Sequence, residues 1–328
     1  MKIFVTGADG LLGSHVVRKL LARNYSVCVF IQPGRNTSTL DGLNIERSNG
    51  DISDYPRLKN AVAGCDGIIH IAAVTSVWPA KDPIYKKINV DGVANIINAA
   101  LAHNVKKVVH IGSAAAFGYG SKENPGTELS PFRSAKYGID YITTKKQGQD
   151  LVLEAVKKRG LPAVVACPTF MVGPYDCQPS SGAMLLAVAK KQLTSYSRGG
   201  RNWIAASDVA EGICNALEKG RIGECYIMGN KNLSYKEAFA LIAKTIQVKP
   251  PRILVPDFLV KSIGLFGSLY SAFSGNNPKI SLPIARASCD GHYFSAAKAV
   301  EELDLPQTSL EIAVSDTVSW FREHGYLE

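Results

Sequence analysis

A tyrosine and a lysine one helical turn apart are the residues with the clearest catalytic chemistry in this sequence. In Tyr141-Ile142-Thr143-Thr144-Lys145 a helix would place the phenol and the ammonium on one face, because residues four apart are neighbours. A phenol has a pKa of about 10 in water, but a nearby ammonium favours the phenolate and lowers that pKa. We therefore predict that Tyr141 is a general acid/base tuned by Lys145. An exposed pair on the helix surface is the alternative.

A third candidate, Ser113, follows the apolar run that ends at Ile111. Small residues come directly after this run, as expected where a parallel strand ends and a ligand lies against its carboxyl end. A serine hydroxyl in that position could donate a hydrogen bond to the developing oxyanion of a carbonyl. The alternative is a serine that only caps the following turn.

The elements that must position these groups begin with a glycine-rich turn. The apolar run Ile3-Phe4-Val5 leads into Thr6-Gly7-Ala8-Asp9-Gly10-Leu11-Leu12-Gly13, and a helical pattern follows to Arg23. Strand, tight turn and helix in this order predict a site for the pyrophosphate of a dinucleotide at the helix N-terminus. The three glycines would permit the turn, the approach of the phosphates and close packing of helix on strand. The predicted contacts are Gly7, Gly10, Leu11, Leu12 and Gly13.

The end of the second strand candidate, 29–35, bears on which dinucleotide is preferred. An acid there would bind the ribose 2′-hydroxyl of NAD, and an arginine would bind the 2′-phosphate of NADP. The stretch has no acid, carries Gln32 and reaches Arg35 three residues later, so we predict NADP in preference to NAD. A solvated loop is the alternative setting for Arg35. Lys145 would hold a ribose hydroxyl. Asp9 is an unexpected residue in the glycine turn, because a carboxylate beside a pyrophosphate must point away from it or weaken its binding.

Strand and helix patterns alternate through the first two thirds of the chain, which predicts βαβ units. We predict an α/β fold, a Rossmann doubly wound parallel sheet with a smaller C-terminal α/β substrate-binding lobe. The dinucleotide domain would span 1–173, with 201–220 returning to it, and 174–328 would form mainly the lobe. The strand candidates are Lys2–Val5, Ser26–Ile31, Gly67–Ile71, Lys107–Ile111 and Ala163–Ala166, and the helix candidates between them are Leu12–Arg23, Tyr55–Ala63, Ile88–His103 and Ile139–Lys158.

In the predicted lobe, Ser234 followed by Glu237 is typical of a capping box and indicates a helix to about Thr245. The apolar segment Asp257–Phe273 is interpreted as another helix of the lobe. A helix on a membrane surface is the alternative, which the lack of clustered Lys and Arg on its polar side disfavours. The segment Asp257–Phe273 and five further residues suggest a substrate pocket with hydrophobic walls. The alternative is that these residues belong only to the hydrophobic core. The five residues are Thr75, Trp78, Tyr119, Met171 and Met184.

Composition excludes several classes of function. The chain has 328 residues, a net charge of +9 and basic doublets that we interpret as solvated helix faces, so nothing indicates nucleic-acid binding. No run of about 18 apolar residues is present, and no membrane span is predicted. Seven cysteines without a C-x-x-C pair favour reduced thiols over disulfides or a metal site. Met1-Lys2 leads directly into the first strand, so we expect no signal peptide and a cytoplasmic protein.

Together these motifs resemble those of the extended short-chain dehydrogenases/reductases, also called the NAD-dependent epimerase/dehydratase family. The shared motifs are Thr6-Gly7-x-x-Gly10-x-x-Gly13, Gly50-Asp51-Ile52, His70-Ile71-Ala72-Ala73, Asn89-Val90-x-Gly92, Ser113, Tyr141-x-x-x-Lys145 and Pro168-x-x-x-x-Gly173-Pro174. The resemblance implies that Asp51 and Ile52 meet the adenine and that Ala72, Ala73 and Pro168 also line the cofactor.

The motif Gly173-Pro174-x-Asp176-x-x-Pro179 and the apolar lobe are most similar to the dihydroflavonol-reductase-like branch. That branch implies an NAD(P)-dependent oxidoreductase that reduces a ketone or oxidises the corresponding alcohol. A nucleotide-sugar epimerase or dehydratase with retained cofactor is the alternative, and a non-enzymatic dinucleotide sensor is a further one. The expected partner is a small-molecule substrate, and a homodimer stays open. The chain departs from the family at Thr144 and at Ala205-Ala206-Ser207-Asp208.

Overall fold

The computed structural model describes residues 1–278 and 280–327, which form two sheets of more than two strands and one strand pair. The strands are β1 (Lys2–Thr6), β2 (Ser26–Ile31), β3 (Glu46–Asn49), β4 (Gly67–His70), β5 (Lys107–Ile111), β6 (Ala163–Pro168), β7 (Phe170–Val172), β8 (Ser195–Tyr196), β9 (Gly200–Ala205), β10 (Cys225–Met228), β11 (Lys231–Ser234), β12 (Ile253–Leu254) and β13 (Gly291–His292). The helices are α1 (Leu11–Ala22), α2 (Tyr55–Val62), α3 (Pro83–Lys86), α4 (Gly92–Ala102), α5 (Asp140–Arg159), α6 (Gly182–Ala189), α7 (Ala206–Lys219), α8 (Tyr235–Thr245), α9 (Asp257–Ser274), α10 (Leu282–Ser288), α11 (Ala297–Leu303) and α12 (Leu310–Glu323).

The large sheet has seven strands in the order β10-β6-β5-β4-β1-β2-β3, and each pair in it is parallel. The chain runs outward from β1 to β3, then returns to the other side of β1 as β4. Ligands of such sheets bind at this point of reversal, outside the carboxyl ends of the strands. The sheet confirms the predicted Rossmann-type α/β fold.

Both faces of the sheet are covered by helices, as a parallel sheet requires because it is apolar on both sides. On one face α1 packs against α7, and the core there includes Val16, Leu20 and Ile213. On the other face α2, α4 and α5 contribute apolar side chains such as Ile96 and Val152. Helix α7 and strand β10 thus return to the first unit after the chain has left it.

The smaller unit is built around β9, which pairs with β7, β11 and β13. Its apolar core includes Trp203 on β9, Phe239 on α8 and Val314 on α12. The predicted capping box is present at the start of α8. The Ser234 hydroxyl accepts a hydrogen bond from the N–H of Glu237, and the Glu237 carboxylate accepts one from the N–H of Ser234.

Helix α9 forms as predicted, but the expectation that its bulky side chains line a pocket is wrong. The helix buries Val260, Gly264 and Ser271, and it packs on α10. A Cβ on Gly264 would lie 2.5 Å from the Cβ of Ala285, so a larger side chain could not fit there. Because the small residues take the packing side, the large apolar ones face outward, Phe273 being 90% exposed.

Gly13 allows α1 to lie directly on the turn that precedes it. A Cβ on Gly13 would lie 2.0 Å from the carbonyl oxygen of Gly7, whereas one on Gly10 would meet only that oxygen, at 3.7 Å. We therefore expect Gly13→Ala to lower the free energy of unfolding by about 1–3 kcal/mol through overpacking. Gly10→Ala is the matched control and should leave it nearly unchanged. Denaturant unfolding of both variants tests this, and equal losses would contradict it.

Candidate active site

The glycine turn and the segment after β4 meet at the point where the strand order reverses. Gly7 has a φ of +69°, and a Cβ on it would lie 2.7 Å from the backbone nitrogen of Ala72. The hydroxyl of Thr6 accepts hydrogen bonds from the N–H groups of Ile71 and Ala72, both at 3.2 Å. This side chain therefore ties the two strand ends together. Ala72 and Ala73, predicted from sequence to line a cofactor, lie on this segment.

The N-terminus of α1 has the properties that an anion site requires. Gly10 is its N-cap and no side chain caps the helix, so the N–H groups of Leu11, Leu12 and Gly13 are those that lack partners within a helix. The space around a Cβ at Gly10 is open apart from one contact at 3.7 Å. A pyrophosphate fits there, because bare N–H groups and the helix dipole both favour negative charge.

Asp9 and Arg35, which sequence reasoning treated separately, form an ion pair. The Nε of Arg35 donates to Oδ2 of Asp9 at 2.9 Å; the Asp9 side chain is 9% exposed and that of Arg35 43%. The carboxylate therefore points at the guanidinium, and its charge is balanced within the turn. The pair also fixes Arg35 beside the glycine turn.

Two further cofactor candidates are hydrogen-bonded to each other. The Gln32 amide donates to Oδ2 of Asp51 at 3.0 Å, and the backbone N–H of Ser53 donates to Oδ1 at 2.8 Å. Burial alone would raise the pKa of Asp51, but these hydrogen bonds outweigh it and hold the pKa below its usual value. Asp51 is therefore a carboxylate at neutral pH. The carbonyl of the adjacent Ile52 accepts from the Asn95 amide at 2.9 Å.

Tyr141 and Lys145 both lie on α5, one turn apart, with Lys145 buried. The Nζ of Lys145 donates to the carbonyl of Ile111, at the end of β5, at 2.5 Å. Burial lowers the pKa of Lys145 to about 8. Burial raises the pKa of Tyr141, while hydrogen bonding with Ser113 and the charge of Arg201 act in the opposite direction. In this structure burial thus outweighs the effects that lower the Tyr141 pKa, and the tuning of Tyr141 by Lys145 stays a prediction.

Ser113 caps the turn that follows it, and its role as a donor to a carbonyl stays a prediction. Its hydroxyl accepts a hydrogen bond from the N–H of Ala115 at 3.2 Å, which caps a short 3-10 turn. The same side chain lies close enough to Tyr141 to lower the pKa of its phenol. Because the N–H of Ala115 occupies only an acceptor site, the hydroxyl proton stays available to a carbonyl oxygen.

Arg201 is a site residue that the sequence reasoning missed. It lies on β9, its Nε donates to the Tyr235 hydroxyl at 3.0 Å and its guanidinium lies 5.1 Å from the centre of the Phe170 ring. Its charge acts on both Tyr141 and His292. No ion pair of Arg201 occurs among the described residues. In the sequence Arg201 lies between a glycine and an asparagine and belongs to no recognisable motif, so sequence patterns could not identify it.

A polar network fixes Tyr119 at the apolar cluster against which Tyr141 also packs. The Tyr119 and Tyr137 hydroxyls both donate to Asp290, at 2.8 and 2.5 Å, and the Lys136 ammonium lies 2.8 Å from the same carboxylate. His292 Nε2 is 3.0 Å from the Tyr137 hydroxyl. These bonds fix the ring of Tyr119, which belongs to the apolar cluster that also contains Tyr141.

The other substrate and cofactor candidates lie in different surroundings. Met171 packs against the core beneath α1, and Met184 packs in the core of the smaller unit. Trp78 is partly buried and Thr75 exposed on the segment after β4, and Pro168 ends β6. Of the predicted substrate residues, the structure therefore brings Tyr119 to the Tyr141 cluster.

Asn89 holds the segment after β4 against the helix that carries Tyr141. Its Oδ1 accepts from the N–H of Val74 at 2.9 Å, and its Nδ2 donates to the Val74 carbonyl at 3.0 Å and to the Thr144 hydroxyl at 3.2 Å. Thr144, at which the chain departs from the family pattern, therefore provides the hydroxyl oxygen that accepts this hydrogen bond from Asn89. Asn89 lies in a π-helical turn, Lys87–Asp91, a feature often found at functional sites.

Residues 1–278 and 280–327 contain neither a metal-binding cluster nor a membrane-spanning helix. No cluster of three or more His, Cys, Asp or Glu side chains is arranged to hold a metal ion. None of the helices there has the length and apolarity to cross a membrane.

Comparison with known proteins agrees with this geometry. A protein of Synechocystis sp. named "Putative dihydroflavonol 4-reductase" is 30% identical, over 99% of this chain and 96% of that protein. "Sterol demethylase protein B" of Methylococcus capsulatus is 31% identical over the whole of both chains. A crystal structure of PA4631, described as a nucleoside-diphosphate-sugar epimerase from Pseudomonas aeruginosa, superposes with a TM-score of 0.82 at 26% identity, covering 100% of this chain and 99% of that one. Residues 3–229 match the model of the NAD dependent epimerase/dehydratase family. The chain belongs to that family, which confirms the resemblance drawn from its motifs.

Proposed function

We propose that the protein is an NAD(P)-dependent oxidoreductase that reduces a ketone or oxidises the corresponding alcohol, with Tyr141 as the acid/base. The observation that carries the proposal is the convergence of Tyr141, Ser113 and Lys145 at the end of β5. This point is two strands from the open glycine turn, since β5 neighbours β4 and β4 neighbours β1. A dinucleotide on the turn would extend along the carboxyl edge of the sheet toward these groups.

The roles of the side chains follow from their protonation. When bound, the reduced dinucleotide supplies the hydride that adds to the carbonyl carbon. Burial keeps Tyr141 protonated at neutral pH, so its O–H can donate the proton that the new alkoxide oxygen requires. The Ser113 hydroxyl donates a hydrogen bond to the same oxygen as its charge develops. Lys145 would hold a ribose hydroxyl. In alcohol oxidation Tyr141 would take the proton from the hydroxyl, and the hydride would return to the oxidised dinucleotide.

The surroundings of Tyr141 favour an apolar ketone. Its cluster includes Ile139, Ile142 and Ala287, with Val77 and Phe132 at the edge. Relatives named as a dihydroflavonol reductase and a sterol demethylase protein are consistent with a bulky, largely hydrocarbon substrate. The cytoplasmic location and the homodimer stay predictions.

Removing the Tyr141 hydroxyl tests the proposed acid/base. We expect Tyr141→Phe to lower kcat by about 10²–10⁴-fold on any ketone that the protein reduces, because general acid catalysis is lost. Ser113→Ala should cost about 10²–10³-fold. Tyr25→Phe is the matched control, since that hydroxyl contacts only the surface Glu218 among the described residues. The measurement is the consumption of NAD(P)H in a screen of cyclic and bulky ketones, and full turnover by Tyr141→Phe would contradict the mechanism.

A nucleotide-sugar epimerase or dehydratase is the second candidate, and Arg201 is the observation that favours it. A guanidinium that has no acidic partner among the described residues, and whose charge acts on Tyr141, suits a pyrophosphate, and the similar solved structure is described as an epimerase. Such an enzyme retains its cofactor through the cycle. Cofactor that co-purifies, with conversion of a nucleotide sugar and no net NAD(P)H consumption, would favour this candidate over the reductase.

We also propose that NADP is preferred to NAD. The end of β2 carries Gln32 rather than an acid, and Arg35 uses its Nε for Asp9, which leaves the two Nη groups directed elsewhere. A guanidinium anchored through Nε presents its remaining donors in a fixed orientation, which suits a 2′-phosphate.

Variants of the ion pair test this preference. We expect Arg35→Ala to weaken NADPH binding by about tenfold or more, the loss of a charge-assisted contact, and to change NADH binding much less. Asp9→Asn is the companion variant: it frees Arg35 of its counter-charge and should not weaken NADPH. Dissociation constants from fluorescence titration give the answer, and tighter NADH than NADPH binding by the wild type would refute the preference.

The Lys145 pKa of about 8 predicts a pH dependence of cofactor binding. Below this value the ammonium is present and donates to the ribose; as the pH rises through about 8 it is lost, so the Kd for the dinucleotide should rise. Lys145→Arg stays charged over this range and should show weaker but pH-independent binding. An identical pH profile in wild type and Lys145→Arg would rule out Lys145 as the titrating group.

A further inference from the structure

Helix α9 displays a broad apolar face that the rest of the described chain does not cover. Its outward residues are Phe258, Ile263, Phe266, Leu269, Tyr270 and Phe273, which are 47–90% exposed. At about 100° per residue these six fall within an arc of about 140°. Scattered exposed apolar residues are normal, but a continuous stripe of this width indicates an interaction surface.

The opposite side of α9 is already used. Gly264 packs on Ala285, and a Cβ at Gly267 would lie 2.2 Å from the Ile280 carbonyl oxygen. The helix therefore packs on α10 through its smallest residues. Its large side chains cannot be turned inward without breaking this contact, so the apolar stripe is fixed outward.

The polar side of α9 itself lacks clustered Lys and Arg, which counted against a membrane surface, but the segments before and after the helix supply cations. Five Lys or Arg residues and one acid, Asp257, occur between Lys249 and Arg286. The basic residues Lys249, Arg252, Lys261 and Arg286 are exposed. Lys261 lies on α9 about 60° outside the arc of the stripe, and Arg252 precedes the exposed Ile253 and Leu254. In the sequence the apolar helix is thus flanked by cations on both sides, a charge pattern that matches the interface of a bilayer containing anionic lipids.

We propose that α9 lies in the surface of an anionic phospholipid membrane, with its apolar stripe in the acyl boundary and the flanking cations at the headgroups. The position of the helix connects this surface to the active site. Helix α10 lies beneath α9, and Ala287 of α10 belongs to the apolar cluster of Tyr141. One helix layer thus separates the membrane face from the catalytic tyrosine, so an apolar substrate dissolved in the bilayer would have a short route to it.

Vesicle binding by the full chain tests the proposal. Co-sedimentation with vesicles of phosphatidylcholine plus phosphatidylglycerol is compared with phosphatidylcholine alone and with vesicle-free samples. We expect the wild type to bind the anionic vesicles and to be released by high salt. Phe273→Ser should lower the partition coefficient several-fold and Phe266→Ser/Phe273→Ser by about tenfold or more. Arg252→Glu/Lys261→Glu should reduce binding to anionic vesicles only.

Leu129→Ser is the matched control, because Leu129 is 94% exposed and Phe273 90% exposed. It should bind vesicles as the wild type does, and thermal unfolding should show all variants folded. A wild type that binds neither vesicle, or α9 variants that bind like Leu129→Ser, would overturn the proposal. So would a dimer in sedimentation equilibrium that Phe266→Ser/Phe273→Ser dissociates while vesicles leave it intact, since the face would then belong to a second copy. None of these readouts uses turnover, so the proposed reaction can fail independently.

Discussion

The close approach of β1 and β4 at their carboxyl ends is the constraint on which the site depends. The two chain segments part here. The N–H of Ile71 still reaches the backbone carbonyl of Thr6, and the Thr6 hydroxyl accepts from the N–H groups of Ile71 and Ala72. Gly7 must lack a side chain, because a Cβ there would lie 2.7 Å from the nitrogen of Ala72. If this contact opened, α1 would shift with the turn and its N-terminus would no longer face the edge of the sheet where Tyr141 lies.

Burial decides the protonation of the basic groups behind that edge. His70 and His110 lie side by side on β4 and β5, with ring centres 5.4 Å apart. Burial lowers the pKa of each, and the charge of Lys145 lowers both further. The histidines are therefore neutral near pH 7, and Lys145 alone of the three carries charge. Of these three buried groups, Lys145 is therefore the one whose charge can attract an anionic cofactor.

Much of this architecture could be predicted from the sequence, because its signals are local. The apolar runs and glycine spacing predict β1, α1 and the strands around them, and Ser234 with Glu237 predicts a helix start. Strand β3 was missed because its sequence, Glu46–Asn49, is polar and lies at the sheet edge. Arg201 and the pairing of Arg35 with Asp9 depend on contacts between residues far apart in the chain, which no spacing rule reveals. The outward direction of the large side chains of α9 depends on which side of the helix packs against α10. The close approach at its glycines determines that side.

A buried asparagine connects the two units of the molecule. Asn202 on β9 is 1% exposed, and its Oδ1 accepts from the Thr169 hydroxyl at 2.8 Å and from the N–H of Asn230 at 3.0 Å, next to β6 and β10 respectively. Its Nδ2 donates to Asn232 at 2.8 Å and to the Phe294 carbonyl at 3.1 Å. A buried amide with this many partners fixes β9 relative to the large sheet, because each bond broken would leave a polar group unpaired. Arg201, the preceding residue, is expected on the opposite face of β9, because side chains alternate along a strand, and there it contacts Tyr235 and Phe170. The amide that fixes β9 therefore also fixes the strand that carries the guanidinium.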